Sequence, residues 1–289
     1  MITYNPKSWL KLVFSFRKSD TTRILLIPII SMAVFTTLIA YIEINYLKDV
    51  AYLKNLMTIY TLIGFVISML LVFRTNTAYD RWWEGRRKWG ELINESRNIA
   101  IKLSHLIKDK DEHNFYNRML PNFAFALKTH LQNGVNNWSE LDLTAEELQE
   151  LKSKEHVPAH IVKMIYQKIY ELKAIQQISE IDFLVLDKQL KTLMEICGAC
   201  ERIKKTPIPY SYSMFLKKFI LIYVVTIPIA LVPLLGYVAS AIATFIFYIL
   251  MSIEIIAEEI EDPFGGDDND LPTDVIAMNI KKSVHELLN

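Results

Sequence analysis

The sequence predicts an all-α membrane protein, with four membrane-associated helical segments and a large helical cytoplasmic domain. Three observations carry that prediction. Apolar residues are gathered into long uncharged runs, and basic residues concentrate at particular flanks of those runs. The chain between them shows apolar spacings of three and four and lacks β-hairpin turn signals. Composition agrees: of 289 residues, 52% are hydrophobic and 22% charged, more apolar and less charged than an average globular domain.

The first element is a basic leader, residues 1–23, carrying Lys7, Lys11, Arg17, Lys18 and Arg23. Two uncharged runs of nineteen residues follow, Ile24 to Ile42 and Asn55 to Phe73. As helices each rises about 28 Å, close to the roughly 30 Å of a bilayer's hydrocarbon core. The first run is too long for the apolar part of a signal peptide, and no small-residue cleavage site follows it. A third uncharged run, Phe219 to Ile253, has thirty-five residues. One helix of that length would reach about 52 Å, so Pro228, Pro233 and Gly236 are expected to break it. The two pieces would be Phe219 to Val232, short and either buried or tilted, and Tyr237 to Ile253, just long enough to span.

Lys and Arg set the orientation. Residues 1–23, 74–88 and 202–218 carry five each, whereas 43–54 carries only Lys48 and Lys54. The predicted organisation is therefore a cytoplasmic segment 1–23, a transmembrane hairpin 24–73 and a helical cytoplasmic domain 74–218. A second hairpin 219–253 follows, then an acidic loop with a cytoplasmic helix, 254–289. The chain would be multi-pass in the cell (inner or plasma) membrane, with both termini cytoplasmic. Within 74–218, Ile165, Ile169 and Leu172, and then Leu186, Leu190 and Leu193, mark buried helix faces. The stretch from Asn133 to Glu147 reads as a loop ending in a helix start, with Thr144 as cap and Glu147 three residues on.

Several function classes lose support here. Net charge is zero, so no nucleic-acid footprint is expected. The two cysteines, Cys197 and Cys200, do not make a disulfide scaffold. As a CxxC pair they would complete a four-ligand zinc set with His156 and His160, though nothing in the spacing brings the two pairs together. Buried helical cysteines are the alternative. Phosphate-binding loops, zinc-hydrolase helices and nucleophile elbows are all missing, so no enzyme is predicted.

Four stretches invite a functional reading. In TLIGFVISMLLVF, Phe65, Met69 and Phe73 form one stripe at fourfold spacing, while Gly64 and Ser68 share a neighbouring face suited to close helix approach. The stripe faces either lipid or, in a ring of copies, a hydrophobic constriction. Immediately after it, FRTNTAYDRWWEGRRKW places Arg74, Arg81, Arg86, Arg87 and Lys88 at a cytoplasmic exit. Tyr79, Trp82 and Trp83 suit a membrane interface, and a Glu84–Lys88 pair would support a continuing helix. Pro207 and Pro209 hold Ile208 in a rigid extended turn. Finally, Ile253 to Asp274 carries nine acidic residues and no basic one. Asp262, Asp267, Asp268, Asn269 and Asp270 beside two glycines suit a hard cation such as calcium, without the EF-hand spacing; an exposed acidic loop is the plainer alternative.

The chain resembles the bestrophins, specifically the shorter prokaryotic type. The matching residues are Phe73-Arg74-Thr75-Asn76 with Tyr79-Asp80-Arg81-Trp82-Trp83, then Pro207-Ile208-Pro209, then Glu261-Asp262-Pro263-Phe264-Gly265 and its acidic cluster. The resemblance implies a homopentamer in the lipid bilayer around one central pore that passes monovalent ions. It turns Phe65, Met69 and Phe73 towards a pore neck, makes Ile208 the cytoplasmic aperture, and places Asp267 and Asp270 at carboxylate positions of a calcium clasp. Asp262 stands where animal members often have asparagine, and Gly266 where they carry an acid. Met69 stands where phenylalanine or isoleucine is usual. No cofactor is required by the resemblance. Family usage favours chloride-like anions, while some prokaryotic members are cation-permeable. A secondary transporter or a membrane scaffold are the rival classes; a transporter would need ionisable groups at mid-membrane, and the uncharged runs have none.

Overall fold

The computed structural model describes residues 20–47, 56–132 and 137–289. The basic leader up to residue 19, Lys48, Lys54 and residues 133–136 of the expected loop lie outside them. The described residues are all-helical apart from turns: α1 (Asp20–Tyr46), α2 (Leu56–Leu106), α3 (Lys110–Leu131), α4 (Ala145–Lys152), α5 (Val157–Ala174), α6 (Glu180–Lys205), α7 (Tyr210–Leu235), α8 (Val238–Glu261) and α9 (Thr273–Leu288). Four of them, α1, α2, α7 and α8, are long and apolar enough to cross a membrane. The chain divides into two compact units.

One unit comprises Ile2–Arg81 and Pro207–Glu261. Its core is built from Met32 and Ala40 of α1, Ile67 and Leu71 of α2, Leu216, Ile220, Val224 and Ile227 of α7, and Ala239, Ala243 and Phe247 of α8. Small residues let the helices close up. Ser240 of α8 hydrogen-bonds Thr36 of α1 at 2.8 Å and donates to the Ala33 carbonyl at 3.2 Å. Between lipid-facing helices, such polar contacts and close packing replace the hydrophobic drive available in water.

The third uncharged run departs from expectation. Pro228 and Pro233 both lie inside α7, and the break comes only at Gly236. That residue, at φ +56° and ψ −138°, occupies backbone space that side-chain-bearing residues avoid. Its N–H still donates to the Val232 carbonyl at 2.8 Å. Prolines persist in apolar helices because neighbouring helices and local adjustment re-satisfy the freed backbone groups. The segment is consequently 26 residues long and begins at Tyr210, carrying Lys217 and Lys218 within it. The expected edges at 73/74, 218/219 and 253/254 all fall inside helices, whereas the units divide after Arg81, Thr206 and Glu261.

The other unit comprises Trp82–Thr206 and Asp262–Asn289. Its centre is α3, buried on most sides, packed against α5, α6 and α9. An all-round buried helix must satisfy most of its polar groups, and α3 does so at Asn122 and Lys128, while Glu112 Oε2, Tyr116 Oη and Asn117 Oδ1 have no hydrogen-bond partner among the described residues. Asn122 donates to the Asp142 carbonyl at 2.8 Å and accepts the Asp142 N–H at 2.9 Å. Lys128, nearly buried, pairs with Glu140 at 2.5 Å and Asp274 at 2.6 Å. The spacings in α5 and α6 are realised: Ile165, Ile169, Leu172, Leu186, Leu190 and Leu193 are all buried in one core with Trp89, Leu92 and Ile99 of α2. Thr144 and Glu147 form the expected capping box at α4. Glu147 has a second partner the pattern did not reveal, a two-pronged hydrogen bond from Arg118 at 2.7 and 3.1 Å.

Candidate functional site

The α2 stretch from Leu62 to Ala78 has two distinct faces. Ile67, Leu71, Arg74 and Ala78 are buried, at helical spacings of four, three and four. On the other side Phe65 is 66% exposed, Met69 51% and Phe73 53%. The three bulky residues expected to form one stripe therefore do so, and nothing among the described residues covers them. Gly64 sits on a face turned to α7, where an added Cβ would lie 2.8 Å from the Tyr223 hydroxyl. Ser68 turns its hydroxyl back to the Gly64 carbonyl at 2.8 Å. Gly64 lets α2 pass a tyrosine of α7 at close range, whereas Ser68 is exposed.

Phe73 is followed by a buried charge. Arg74 is 1% exposed, with Nη1 2.5 Å from Glu261 Oε2 and Nε 3.8 Å from Glu254 Oε1. Both contacts are ion pairs without hydrogen-bond geometry: Arg74 Nε and Nη1 and both Glu254 oxygens have no hydrogen-bond partner among the described residues. Glu261 does more. Its Oε1 accepts the Ile208 N–H at 2.7 Å, and its backbone carbonyl accepts from Arg81 Nε at 3.0 Å. The extended turn Pro207-Ile208-Pro209, with Ile208 half-buried, is thus fastened to the end of α8 by the carboxylate that neutralises Arg74. Sequence reasoning assigned Arg74 only to orientation and missed this hub. The signal was available: opposite charges directly after two apolar runs must be paired or hydrated.

The acidic loop after α8 is tightly made. Asp270 is 3% exposed and accepts the backbone N–H groups of Gly266 and of Asp267, the latter at 2.6 Å. Leu271 N–H donates to the Pro263 carbonyl at 2.9 Å, and Trp82 Nε1 holds the Asn269 carbonyl at 3.0 Å. Phe264 is buried against Gly85, where an added Cβ would come within 3.1 Å of its ring. Burial and the nearby Asp267 and Asp262 charges raise the Asp270 pKa, and the two backbone donors offset only part of that. Asp262 pairs with Lys204 at 2.5 Å.

These placements bear on a cation. Asp262, Asp267 and Asp270 do not bring three carboxylate oxygens together, and Lys204 already neutralises Asp262. Asp270 spends one oxygen on N–H donors, which repel a cation, and only its buried Oδ1 lacks a donor. As a set, the three acids do not fit a calcium ion, which takes six to eight oxygens.

Trp82 packs against the core of the helical unit and donates to Asn269, a partner the sequence did not reveal. Two further expectations are corrected. Glu84 pairs with Arg202 at 2.7 Å, and Lys88 with Glu91, so α2 is not held by a Glu84–Lys88 bridge. The four-ligand zinc set does not assemble either. Cys197 and Cys200 are fully buried, with burial pushing each thiol up to about 12, and His160 turns to the His156 carbonyl at 3.1 Å.

Comparison with known proteins agrees with this architecture. A voltage-dependent anion channel-forming protein of Nostoc sp. is 35% identical over 229 residues, 77% of this chain and 74% of the relative. The voltage-dependent anion channel-forming protein YneE of Escherichia coli K12 is 29% identical over 288 residues, 97% of this chain and 92% of the relative. A crystal structure of a bacterial bestrophin homologue from Klebsiella pneumoniae superposes with a TM-score of 0.83 at 26% identity, covering 92% of this chain and 99% of that one. The profile of the family described as Bacterial/Fungal Bestrophin protein matches residues 1–286. With its bestrophin sequence motifs, four apolar helices and near-complete structural match, the chain belongs to the bacterial and fungal bestrophin family.

Proposed function

We propose that the protein is a subunit of a homopentameric ion channel that passes monovalent ions passively, with anions favoured. The observation that carries this reading is the uncovered face of α2. Phe65, Met69 and Phe73 project from one side of a helix whose opposite side is fully packed. Five such faces around an axis would set three apolar rings in series, a constriction that excludes water until it widens. The preference for anions is drawn from the names of the Nostoc and Escherichia coli relatives. Ile208 is assigned to the cytoplasmic aperture, held in place through its N–H by Glu261. Both termini are assigned to the cytoplasm on the basic flanks.

The acidic loop is assigned a structural role without a bound cofactor. Asp270 ties the turn to its own backbone and Lys204 neutralises Asp262, so the loop is closed by protein groups alone.

Planar-bilayer recording of the purified protein tests the reading. Met69→Ala and Ile208→Ala should each change conductance or open probability, and the reversal potential in a KCl gradient should lie towards the chloride equilibrium. A potential towards that of potassium would assign the same pore to cations. Unchanged currents in both variants would remove the pore assignment. Saturating or coupled flux would indicate a transporter, and no conductance at all a scaffold.

A further inference from the structure

One side-chain cluster has no part in the reading above. His130 lies in the last turn of α3, His156 caps α5, and Glu201 sits near the end of α6. Three separate helices thus deliver three polar groups to one place. His130 Nε2 is 2.5 Å and His156 Nε2 3.2 Å from the same oxygen, Glu201 Oε1. The two imidazole rings stack with centroids 4.6 Å apart. All three ligand atoms fall within 4.8 Å of one another, and no other trio of His, Cys, Asp or Glu does so among the described residues. The side chains are 23%, 36% and 21% exposed, sheltered yet open enough for an ion to enter.

The chemistry of the set is selective. Two imidazole nitrogens and one carboxylate oxygen suit a borderline dication that accepts mixed nitrogen and oxygen ligands, with a fourth position left for water. Calcium and magnesium, which take oxygen ligands, are poorly served. Burial alone would raise the Glu201 pKa, but the His130 hydrogen bond and the charges of both rings hold it below the usual carboxylate range. The anionic ligand is therefore present at neutral pH. One dication can engage both stacked rings and the carboxylate at once.

We propose that His130, His156 and Glu201 bind a divalent metal ion of the zinc class, joining the last turn of α3, the first turn of α5 and α6 through one centre. The proton positions give this a structural consequence. Ala159 N–H donates to His156 Nδ1 at 3.2 Å, so the neutral ring carries its proton on Nε2, facing Glu201. Coordination through Nε2 moves that proton to Nδ1 and ends the bond from Ala159. The same transfer at His130 leaves each neutral ring bound through Nε2 and protonated at Nδ1, with no net proton released. Metal binding therefore loosens the cap of α5 while tying three helices together.

The full chain, purified in detergent without a histidine tag and stripped of metal, would be titrated with Zn²⁺ alone by calorimetry. Co²⁺ would serve as the absorption probe of coordination. One ion per chain is expected, with the intense visible bands of four- or five-coordinate cobalt, a higher melting temperature, and faster hydrogen exchange at Ala159. His130→Ala, His156→Ala and Glu201→Gln should each weaken uptake about tenfold or more. Glu201→Gln leaves the rings a hydrogen-bond partner, so its effect separates ligation from folding. His160→Ala and Cys197→Ser should titrate as the wild type does. No saturable uptake by the wild type would overturn the proposal. So would Glu201→Gln and His130→Ala variants that bind as well as the wild type, or equal weakening by His160→Ala.

Discussion

Glu261 shows how much one carboxylate can decide. One oxygen neutralises the buried Arg74 and the other receives the Ile208 N–H, so a single side chain holds both the helix end after Phe73 and the proline turn. Removing its charge leaves Arg74 with only the longer Glu254 contact. Uncompensated buried charge is expensive, so Glu261→Gln should cost about 3 kcal/mol, read as a lower melting temperature in detergent. An Arg74→Met, Glu261→Gln double variant should lose less than the sum of the two single variants. Additive losses would show that the pair is not coupled. Glu147 offers a pH-dependent case. Burial alone would raise its pKa, but the Arg118 hydrogen bond, the Thr144 N–H and the Arg118 charge more than reverse this, and the net direction is down. A carboxylate lowered in the folded state stabilises fully above its unfolded pKa, about 4.3, and loses that contribution as pH falls through the lower folded value. Arg118→Ala should therefore cost about 2 kcal/mol at neutral pH, and its melting gap from wild type should close in acid below about pH 4.

At the scale of elements, α2 carries most of the information. Its 51 residues change character without a break: an apolar stripe at Phe65, Met69 and Phe73, then buried Arg74, then Trp82 and Trp89 in a helical core. Periodicity made the stripe legible because a face at fourfold spacing is a local property. What covered the opposite face was not legible. Ile67 and Leu71 meet residues of α7 and α8 more than a hundred positions away in the chain. Gly64 belongs to the same contact. Gly64→Ala should cost about 1 kcal/mol by crowding the Tyr223 hydroxyl, and Tyr223→Phe in the same chain should recover most of it. Full cost in the double variant would show that some other contact limits the approach. The prolines of α7 teach a related lesson. Their breaking tendency is real in isolation, yet inside a packed apolar helix only Gly236, with its positive φ, turns the chain.

For the molecule as a whole, the proposed channel depends on copies that meet across the uncovered face of α2. Met69→Ala removes bulk from the middle ring of the proposed neck, so its conductance should rise severalfold in bilayers if that ring limits water and ions. Chelation is the complementary experiment. If Lys204 and the backbone alone close the acidic loop, removing calcium with a chelator should leave open probability and melting temperature unchanged. A loss of current on chelation, restored by calcium, would assign Asp270 Oδ1 and its neighbours to a cation after all. Lys204→Met should instead destabilise the loop, because Asp262 then loses the partner 2.5 Å away.

The sequence by itself determined the helical class, the four apolar segments, the capping box at Thr144, the buried faces of α5 and α6, and the family motifs. Each is written in local composition, spacing or an unbroken short motif, where physics acts between near neighbours along the chain. Only the tertiary structure decided which charges were neutralised and by what. Arg74 with Glu261, Asp262 with Lys204, Glu84 with Arg202, and His130 with His156 and Glu201 all join residues dozens to nearly two hundred positions apart. No spacing rule predicts such pairs, because burial removes the water that would otherwise solvate each charge, and the fold alone brings the opposite charge within reach.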